Sequence, residues 1–372
     1  MAVAMKHRRT FTHQFLSGIT AGDWWRMLRE NRLAVDRCYW HRAAFITLMS
    51  LINSRYRQQE ERSYGAAIAA TSIQEAPIFI LGHWRSGTTH LHNLLVRNRA
   101  HFAFPTVYQA SFPHSFLSTE ATIPRLVARY VPETRLFDNV AFQLDLPQED
   151  EFAMCITSGF SPFMGMVFPQ RAAHYDRYLT LRDVPQAEVE RWKTTLLWFL
   201  KKLTYRYGQA IVLKSPPHTA RVRLLLDMFP NARFVHISRN PYAVFQSTRH
   251  MYDTMVWHTY LQRPDLASIS DGILRRYVTM YDAYFAERTL IPAGQLHELH
   301  FEDLRRDPLG QMRELYAALH LPGFASAEPG LRAYVDGLGV YQQNNYAGLP
   351  DEDRAQVAQA WQRNFARWSY PI

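Results

Sequence analysis

The chain has 372 residues, of which 47% are hydrophobic and 20% charged, and this balance indicates a globular protein and excludes a low-complexity chain. Two cysteines are too few for a disulfide framework, so we expect a reducing compartment and a cytoplasmic protein. The net charge of +9 comes from Lys and Arg residues spread along the chain, which favours an anionic cofactor over nucleic acid as partner.

The first 75 residues predict an N-terminal helical extension, with a first helix expected to begin at Asp23 as its N-cap. Aromatic and basic residues are dense between positions 24 and 42. They are typical either of a helical extension packed on the core or of an amphipathic face that meets a membrane or a lipid-like acceptor. No signal peptide is visible, and the apolar run over residues 43–52 is too short to span a bilayer.

A phosphate-binding loop is predicted next. A short apolar run typical of a buried strand, Ile78–Leu81, leads into a loop bounded by Gly82 and Gly87, and a helical pattern of leucines follows. In this layout the N–H groups of the loop and the first helical turn bind an anion. The glycine spacing is that of a Walker A loop, but Thr88 stands at the lysine position and the cation, Arg85, lies inside the loop. The loop is therefore expected to serve something other than an ordinary Mg–ATP.

Residues 101–190 are rich in Pro, Phe and Tyr and show little periodicity, which is typical of binding loops and lids. Within them Glu149, Asp150 and Glu151 form an acidic cluster in an apolar neighbourhood. Crowding would raise the pKa of at least one carboxyl, as suits a general base, although such a triplet is also common in a solvated turn or helix start. In an extended segment Glu149 and Glu151 would face the same side, whereas in a helix the three side chains would diverge.

The second half of the chain alternates helices with short apolar strands, which predicts a parallel sheet flanked by helices. Strands are predicted over residues 211–214, 233–238 and from residue 297, and helices over residues 191–203, 219–229, 243–251, 273–288, 313–321 and 351–368. No linker is visible, so residues 76–372 are predicted to form one α/β domain after the helical extension of residues 1–75.

Four motifs, taken together, resemble those of the sulfotransferases that use 3′-phosphoadenosine 5′-phosphosulfate (PAPS). In this family a Lys or Arg precedes Ser-Gly-Thr-Thr, a strand ends in Lys, and a later strand runs into Arg-Asn-Pro with a Ser eight residues after the Arg. The matching residues here are Arg85-Ser86-Gly87-Thr88-Thr89, Lys214-Ser215-Pro216, Arg239-Asn240-Pro241 with Ser247, and Phe301-Glu302-Asp303-Leu304. The resemblance spans residues 77 to about 320 and is closest to the bacterial-type branch with Pro-x-Glu-Asp-Glu between the first two motifs.

The resemblance implies a P-loop NTPase-like fold and transfer of a sulfuryl group from PAPS to a hydroxyl or amine of an acceptor, with no metal. It implies that Arg239 and Ser247 hold the 3′-phosphate, which fits the bidentate binding of phosphate by a guanidinium. Arg85 and Lys214 would stabilise charge on the leaving oxygen. The residues that would hold the 5′-phosphate are Ser86, Gly87, Thr88 and Thr89. No catalytic role is assigned to the Phe301–Leu304 motif.

Three residues are candidates for the general base. Animal cytosolic members of the family carry Lys-Thr-His at the strand end with that His as base, and here Pro216 occupies its position, with His218 two residues further on. Other branches use a Glu from the region after the phosphate-loop helix, which in this chain corresponds to Glu149 or Glu151. We expect one of these carboxylates to be the base, with His218 as the second choice.

Two other functions are compatible with a phosphate loop. A P-loop kinase needs a Walker lysine and an acidic Mg²⁺ ligand after a strand, but Thr88 and Arg239 stand at those places. A non-catalytic protein with a degenerate P-loop could use the positive charge to bind a membrane or nucleic acid. The aromatic character of residues 101–190 favours a small, hydrophobic or lipid-like acceptor, and the oligomeric state is not predicted.

Overall fold

The computed structural model describes residue 6 and residues 14–127, 143–337 and 348–372. Parts of the predicted helical extension (1–5 and 7–13) and of the predicted loop region (128–142) lie outside them. The chain divides into two compact units, which we call the helical unit (residues 1–72, 105–206 and 250–269) and the sheet unit (residues 73–104, 207–249 and 270–372). The domain boundary predicted between residues 75 and 76 stays a prediction.

The helices of the described residues are, in chain order, α1 (Ala21–Glu30), α2 (Trp40–Ala70), α3 (Thr88–Leu95), α4 (Val107–Ser111), α5 (Phe116–Thr119), α6 (Ile123–Val127), α7 (Glu151–Ser158), α8 (Met164–Val167), α9 (Ala172–Asp176), α10 (Gln186–Tyr207), α11 (Val222–Met228), α12 (Pro241–Thr254), α13 (Ile269–Glu287), α14 (Phe301–Arg306), α15 (Pro308–Ala318), α16 (Phe324–Gly337), α17 (Asp351–Ala360) and α18 (Gln362–Arg367). The strands are β1 (Ile78–Leu81), β2 (Phe102–Ala103), β3 (Ala210–Lys214), β4 (Arg233–Ser238) and β5 (Leu296–His300).

The sheet unit is built on five parallel strands in the order β2-β3-β1-β4-β5. Every residue of β1 and β3 is buried, as expected for parallel strands covered on both faces. After β1 the chain forms β2 and β3 on one side of β1 and then β4 and β5 on its other side, so the strand order reverses at β1. Ligands of open α/β sheets bind in the crevice at the carboxyl ends of the strands at such a switch point. The predicted P-loop NTPase-like sheet flanked by helices is confirmed.

One face of the sheet supports α3. Leu91, Leu94 and Leu95 pack in one apolar cluster with Ile78 and Ile80 of β1. Because successive side chains of a strand point to opposite faces, Phe79 lies on the other face, where its ring stacks on Phe234 at 5.6 Å. The helix after the phosphate loop is therefore fixed to the central strand by the leucine pattern seen in the sequence.

Most predicted elements of the sheet unit occur within a few residues of their expected places, and two predicted helices are divided. The helix expected over residues 219–229 is split, because the chain forms a 3-10 turn over Pro216–Ala220 before α11 begins. Proline at the first two positions of that turn has no N–H to donate and starts the turn early. The tail helix divides at Trp361, whose N–H bonds to the carbonyl of Val357 at the end of α17.

The helical unit has no strand among its described residues beyond a single bridge between Thr106 and Pro147. Its N-terminal part is helical as predicted, but the expected N-cap at Asp23 is wrong. Thr20 caps α1, and its side chain accepts from the Asp23 N–H at 3.4 Å. The hydroxyl of Thr20 also donates to the Asp23 carboxylate at 2.6 Å, so the acid lies in the first helical turn.

Buried polar contacts join distant segments of the helical unit. Arg42 of α2 donates to the carbonyls of Trp257 and Tyr260, each at 2.9 Å. Lys202 of α10 pairs with Glu60 of α2, and both side chains are almost wholly buried. The inner face of α2 is therefore fixed by directional polar contacts as much as by apolar packing.

Candidate active site

The loop between β1 and α3 follows a backbone path that few residues can adopt. Gly82, Arg85 and Gly87 have positive φ angles of 143°, 69° and 98°. A Cβ atom on Gly82 would lie 2.7 Å from the carbonyl oxygen of Ile237, and one on Gly87 would overlap the ring of Phe301. Glycine is thus required at both ends of the loop, whereas Arg85 is held in the left-handed region despite its side chain.

The loop presents the start of α3 as a potential anion site. The Leu91 N–H makes a helical hydrogen bond to the carbonyl of Gly87 at 3.1 Å. The N–H groups of Thr88, Thr89 and His90 come before it, in the first turn, where the N–H groups of a helix are left for acceptors outside the helix. The loop itself is anchored by the Gly82 N–H, which donates to the hydroxyl of Thr219 at 2.8 Å. Helix N-termini held in this way attract phosphate.

Three predicted phosphate-binding residues lie together. The Nε–H of Arg85 donates to the hydroxyl of Ser247 at 2.9 Å, and the guanidinium of Arg239 donates to the Arg85 carbonyl at 2.8 Å. Arg239 comes directly after β4, and Ser247 lies in α12. The carboxyl end of the sheet therefore brings Arg239 and Ser247 to the loop after β1, although they follow Arg85 by 154 and 162 residues in sequence.

Lys214 lies at the opposite side of the loop. It is the last residue of β3, beside Ile80 of β1, and it is buried. Its ammonium group is 3.5 Å from the hydroxyl of Thr89 in the first turn of α3. The predicted catalytic lysine thus points to the face of the sheet that α3 covers.

His218, the second choice for the base, is fully buried in the turn after β3. Its ring meets the ring of Phe79 edge to face at 5.3 Å. Because Phe79 and Ile80 are on opposite faces of β1, His218 packs on the face away from α3.

The acidic cluster belongs to the helical unit. Glu151 is the first residue of α7 and Asp150 precedes it with helical backbone angles, so the three carboxylates diverge instead of alternating along a strand. Asp150 and Glu151 are fully buried, and Glu149 is half-buried. One turn further along α7, burial raises the pKa of the Cys155 thiol well above its usual value, and the nearby charge of Glu151 adds to that effect.

The comparisons with known proteins agree with these motifs. The sequence model of a family described as the sulfotransferase family matches residues 77–326. The chain is 38% identical over 353 residues to the omega-hydroxy-beta-dihydromenaquinone-9 sulfotransferase Stf3 of Mycobacterium bovis and of Mycobacterium tuberculosis, covering 95% of this chain and 90% of each relative. The chain belongs to the sulfotransferase family.

Solved sulfotransferases share the fold. The structure of STF9 from Mycobacterium avium superimposes with a TM-score of 0.67 at 15% identity, covering 95% of this chain and 98% of that one. STF1 from Mycobacterium tuberculosis superimposes with a TM-score of 0.60 at 16% identity, covering 96% and 94%. The prediction of an enzyme of the sulfotransferase class is confirmed, and it is favoured over a kinase and over a non-catalytic protein. Membership of the Pro-x-Glu-Asp-Glu branch stays a prediction.

The sulfotransferase site contains two residues to which the sequence assigned no role. The Phe301 ring fills the space over Gly87 and lies under the guanidinium of Arg239, 4.6 Å from its central carbon to the ring centre. Glu302 accepts from the Asn240 N–H at 3.1 Å and from the Tyr370 hydroxyl at 2.7 Å. The Phe-Glu-Asp-Leu motif was visible in the sequence, but its contact with Arg239 depends on β4 and β5 being neighbours in the sheet.

Aromatic residues support the other side of the loop, and no sequence signal pointed to them. Trp361 stacks on Tyr277 with ring centres 3.6 Å apart, and Tyr277 lies 4.9 Å from the His83 ring. The His83 N–H donates to the hydroxyl of Tyr281 at 3.2 Å. Burial lowers the pKa of His83 to about 3 and that of His90 to about 4, so both imidazoles are neutral near neutral pH. Among the predicted site residues, the positive charge at the loop comes from Arg85, Lys214 and Arg239, and Arg276 adds positive charge near His83.

No group of three or more metal-ligating side chains occurs in the part of the chain that the structure describes. Within the same residues, no helix combines the length and the apolar character needed to cross a membrane.

Proposed function

We propose that this sulfotransferase takes its sulfuryl group from PAPS and transfers it to a hydroxyl group of a lipid-like acceptor. The observation that carries the donor assignment is the contact of Arg85 with both Arg239 and Ser247 beside the glycine-bounded loop. The Arg239 guanidinium and the Ser247 hydroxyl suit a second phosphate, and the 3′-phosphate is what distinguishes PAPS from ATP. Gly82 and Gly87, both with positive φ angles, allow the turn that leads into the N–H groups at the start of α3, and such N–H groups suit a 5′-phosphate.

The residues of the site have three different proposed roles. Ser86, Gly87, Thr88 and Thr89 hold the 5′-phosphate, with the N–H groups at the start of α3. Arg239 and Ser247 hold the 3′-phosphate. Arg85 and Lys214 stabilise the negative charge that develops on the leaving oxygen, and the hydrogen bond to Ser247 orients the Arg85 guanidinium. Bound PAPS supplies the sulfuryl group, which the acceptor oxygen gains as the phosphosulfate S–O bond breaks, and the acceptor proton passes to a base. No metal is part of this proposal.

We propose Glu149 or Glu151 as that base. The helical start of α7 supports only one of the two entering a pocket, because their side chains diverge. His218 is less suitable, since it packs edge to face on Phe79, away from α3. A carboxylate in a buried, aromatic neighbourhood is suited to accept a proton, and the Phe152 ring next to the cluster lies 5.1 Å from that of Phe163.

The acceptor class rests on the relatives and on the composition of the helical unit. Stf3 is named for an omega-hydroxylated dihydromenaquinone, a hydroxyl on a prenylated quinone derivative. Residues 143–190 contribute buried aromatic side chains to the helical unit, among them Phe160, Phe163 and Tyr178. We therefore propose a prenyl-quinone or similar lipid alcohol, met by the protein in the cytoplasm with peripheral membrane contact through its N-terminal helices. The two buried, unbonded cysteines agree with a reducing compartment.

Thermal shift with nucleotides tests the donor. PAP, the 3′,5′-bisphosphate product, should raise the melting temperature, and AMP, which lacks the 3′-phosphate, should do so far less. Loss of one charge-assisted pair corresponds to about one to two decades of affinity. Equal stabilisation by ATP and PAP, especially if it depended on Mg²⁺, would instead favour the kinase.

Conservative variants test the base. Of Glu149→Gln and Glu151→Gln, one should lower kcat about 100- to 10,000-fold and the other should be nearly silent, while PAP affinity changes little in both. If both variants stay active and His218→Ala is inactive, the carboxylate assignment is wrong.

Isotope-labelled PAPS tests the acceptor. Transfer of label to a hydroxylated prenyl quinol, followed by mass spectrometry, is the expected result. Labelling of a polysaccharide in preference to the lipid alcohol would overturn the acceptor class but leave the donor assignment standing.

A further inference from the structure

Large apolar side chains are exposed mainly in one short segment of the helical unit. Of the exposed large hydrophobic residues among those described, six fall between positions 25 and 52, namely Trp25, Leu33, Trp40, Leu48, Leu51 and Ile52. Trp40, Leu48 and Leu51 are each more than half exposed. Single exposed apolar residues are ordinary, but a concentration of this kind marks a contact surface.

Helix α2 buries several polar side chains and exposes several large apolar ones. Its buried face includes Arg42, Ser50, Asn53 and Glu60, and the amide of Asn53 donates to the carbonyls of Ser17 and Ile19 at 2.6 and 3.0 Å. Its opposite face carries, at helical spacing, an exposed row that we call the outer stripe: Trp40, Ala44, Leu48, Leu51 and Ile52. The polar side faces the protein because those groups have partners there, and the apolar side is left at the surface.

The turn before α2 also presents an apolar side chain outward at a conformational cost. Arg32 and Leu33 both have left-handed backbone, with φ angles of 55° and 57°. The Leu33 N–H bonds to the Leu28 carbonyl at 2.8 Å, a helix-ending bond in which glycine usually precedes the donor residue. Trp40 joins this turn to the outer stripe, since its indole N–H donates to the Val35 carbonyl at 3.1 Å. The indole is thereby hydrogen-bonded while its ring stays exposed.

The charge around the outer stripe is positive. Between Asp36 and Glu60 the sequence contains four arginines and no aspartate or glutamate, and three of the arginines, Arg37, Arg55 and Arg57, are exposed, whereas Arg42 is buried. Arg37 and Arg55 are exposed at the two ends of the stripe, and Arg29 and Arg32 are exposed just before it. Exposed leucines and tryptophan bordered by arginines have the character of a helix that lies in a membrane interface. Each arginine near an anionic bilayer adds to that attraction.

We propose that the outer stripe of α2 and the Arg32-Leu33 turn dock on the headgroup region of an anionic phospholipid bilayer, with the axis of α2 along the membrane surface. The stripe ends at Ile52, and the same face then continues with Arg55, Gln58, Gln59 and Arg62. Insertion is therefore confined to the first turns of the helix. The proposal deepens the lipid-like acceptor proposed above, and binding to vesicles needs neither donor nor acceptor, so the two proposals can fail separately.

Vesicle flotation tests this surface with the full-length protein. Vesicles of phosphatidylcholine alone are compared with vesicles of phosphatidylcholine and phosphatidylglycerol in equal parts. The wild-type protein should float with the anionic vesicles, and added salt should weaken that binding. The double variant Leu48→Gln/Leu51→Gln should lower the partition coefficient about tenfold or more, because it removes two inserting apolar side chains. Leu197→Gln, a leucine exposed on α10 of the same unit, is the matched control and should bind like wild type.

Three results would overturn the proposal. The first is binding of the double variant to anionic vesicles at wild-type strength, and the second is no binding of the wild type to either vesicle. The third is light scattering that shows a wild-type dimer which becomes monomeric in the double variant without any vesicle binding, because the stripe would then be an interface between copies of the chain. Unchanged PAP binding and circular dichroism in the variants show that the fold is intact.

Discussion

The two units of the molecule bring distant residues together in different ways. In the sheet unit each site segment follows a strand: the phosphate loop follows β1, Lys214 ends β3, Arg239 follows β4 and Phe301 follows β5. Parallel pairing places the carboxyl ends of all these strands at one edge of the sheet, so the pairing of the strands by itself brings the site segments together. In the helical unit, contacts such as Lys202 with Glu60, 142 residues apart, are made one pair at a time.

This difference indicates where each unit is vulnerable. The sheet unit holds its site on an apolar, hydrogen-bonded frame, so loss of a site side chain should affect ligand binding or turnover and leave stability almost unchanged. The helical unit depends on buried polar pairs, and removal of one partner leaves the other buried without it. Substitutions of the site residues in the sheet unit and of the buried polar pairs in the helical unit should therefore separate effects on catalysis from effects on stability.

The largest stability effect is expected at Lys202. Burial lowers the pKa of its ammonium to about 8 against the opposing effect of Glu60, and the group also donates to the Pro113 carbonyl. Lys202→Met should lower the free energy of unfolding by about 3–5 kcal/mol, because Glu60 stays buried without its cation. Urea unfolding measures this. The double variant Lys202→Met/Glu60→Leu should regain most of the loss, and a double variant no more stable than the single one would contradict the pairing.

Among the site residues of the sheet unit, the largest catalytic effect is expected at Arg85. Arg85→Ala should lower kcat about 100- to 1,000-fold, since its charge matters most when the leaving oxygen becomes negative. The melting temperature should change little. Arg85→Lys is the milder control, because the family loop carries either cation. Near-normal turnover of Arg85→Ala in a steady-state assay would remove this residue from the mechanism.

A smaller effect of pH on stability is expected at Asp23, in the helical unit. Burial by itself would raise the pKa of this carboxyl, but His114, Thr20 and Arg26 together lower it to about 2. With an unfolded pKa of about 3.9, Asp23 contributes about 2–3 kcal/mol of stability above that pH, and the contribution is lost as pH falls toward about 2.

Urea unfolding of wild type and Asp23→Asn at several pH values measures the Asp23 contribution. The difference between the two proteins should be constant near neutral pH and should fall to about half by about pH 3. A difference independent of pH in that range would show that the carboxylate charge does not stabilise α1.

The smallest effect is expected at Phe301, in the sheet unit. Its ring lies under Arg239 and covers Gly87, so Phe301→Leu should weaken PAP binding about tenfold, within the range of a cation–π contact. Calorimetric titration with PAP measures this. Phe324→Leu is the matched control, because Phe324 also lies beside an arginine, Arg313, at 5.4 Å but away from the loop. Equal loss of PAP affinity in both variants would show that the contact with Arg239 has no special role.

The fold and the site could be predicted from the sequence where the position of a residue depends on the strand that precedes it. Strands β1 and β4 occur at their predicted residues, and Arg85, Arg239 and Ser247 meet because strand order brings them together. It was least successful in the helical unit. Helix α2 buries Arg42, Asn53 and Glu60 and exposes Leu48 and Leu51, the reverse of what hydrophobic periodicity predicts. Its orientation is decided by partners far away in the chain, and no local pattern contains that information.

The hydrogen bond of Tyr370 to Glu302 has a consequence for the order in which the parts of the site form during synthesis. The ribosome completes β1 and the phosphate loop long before β3 and β4, which pair with β1 on either side. The support of Asn240 through Glu302 and Tyr370 comes later still. Strand β1 must therefore wait with unpaired edges, a state prone to misassembly. In a series of ribosome-bound chains of increasing length, full PAP affinity should appear only after Tyr370 has emerged.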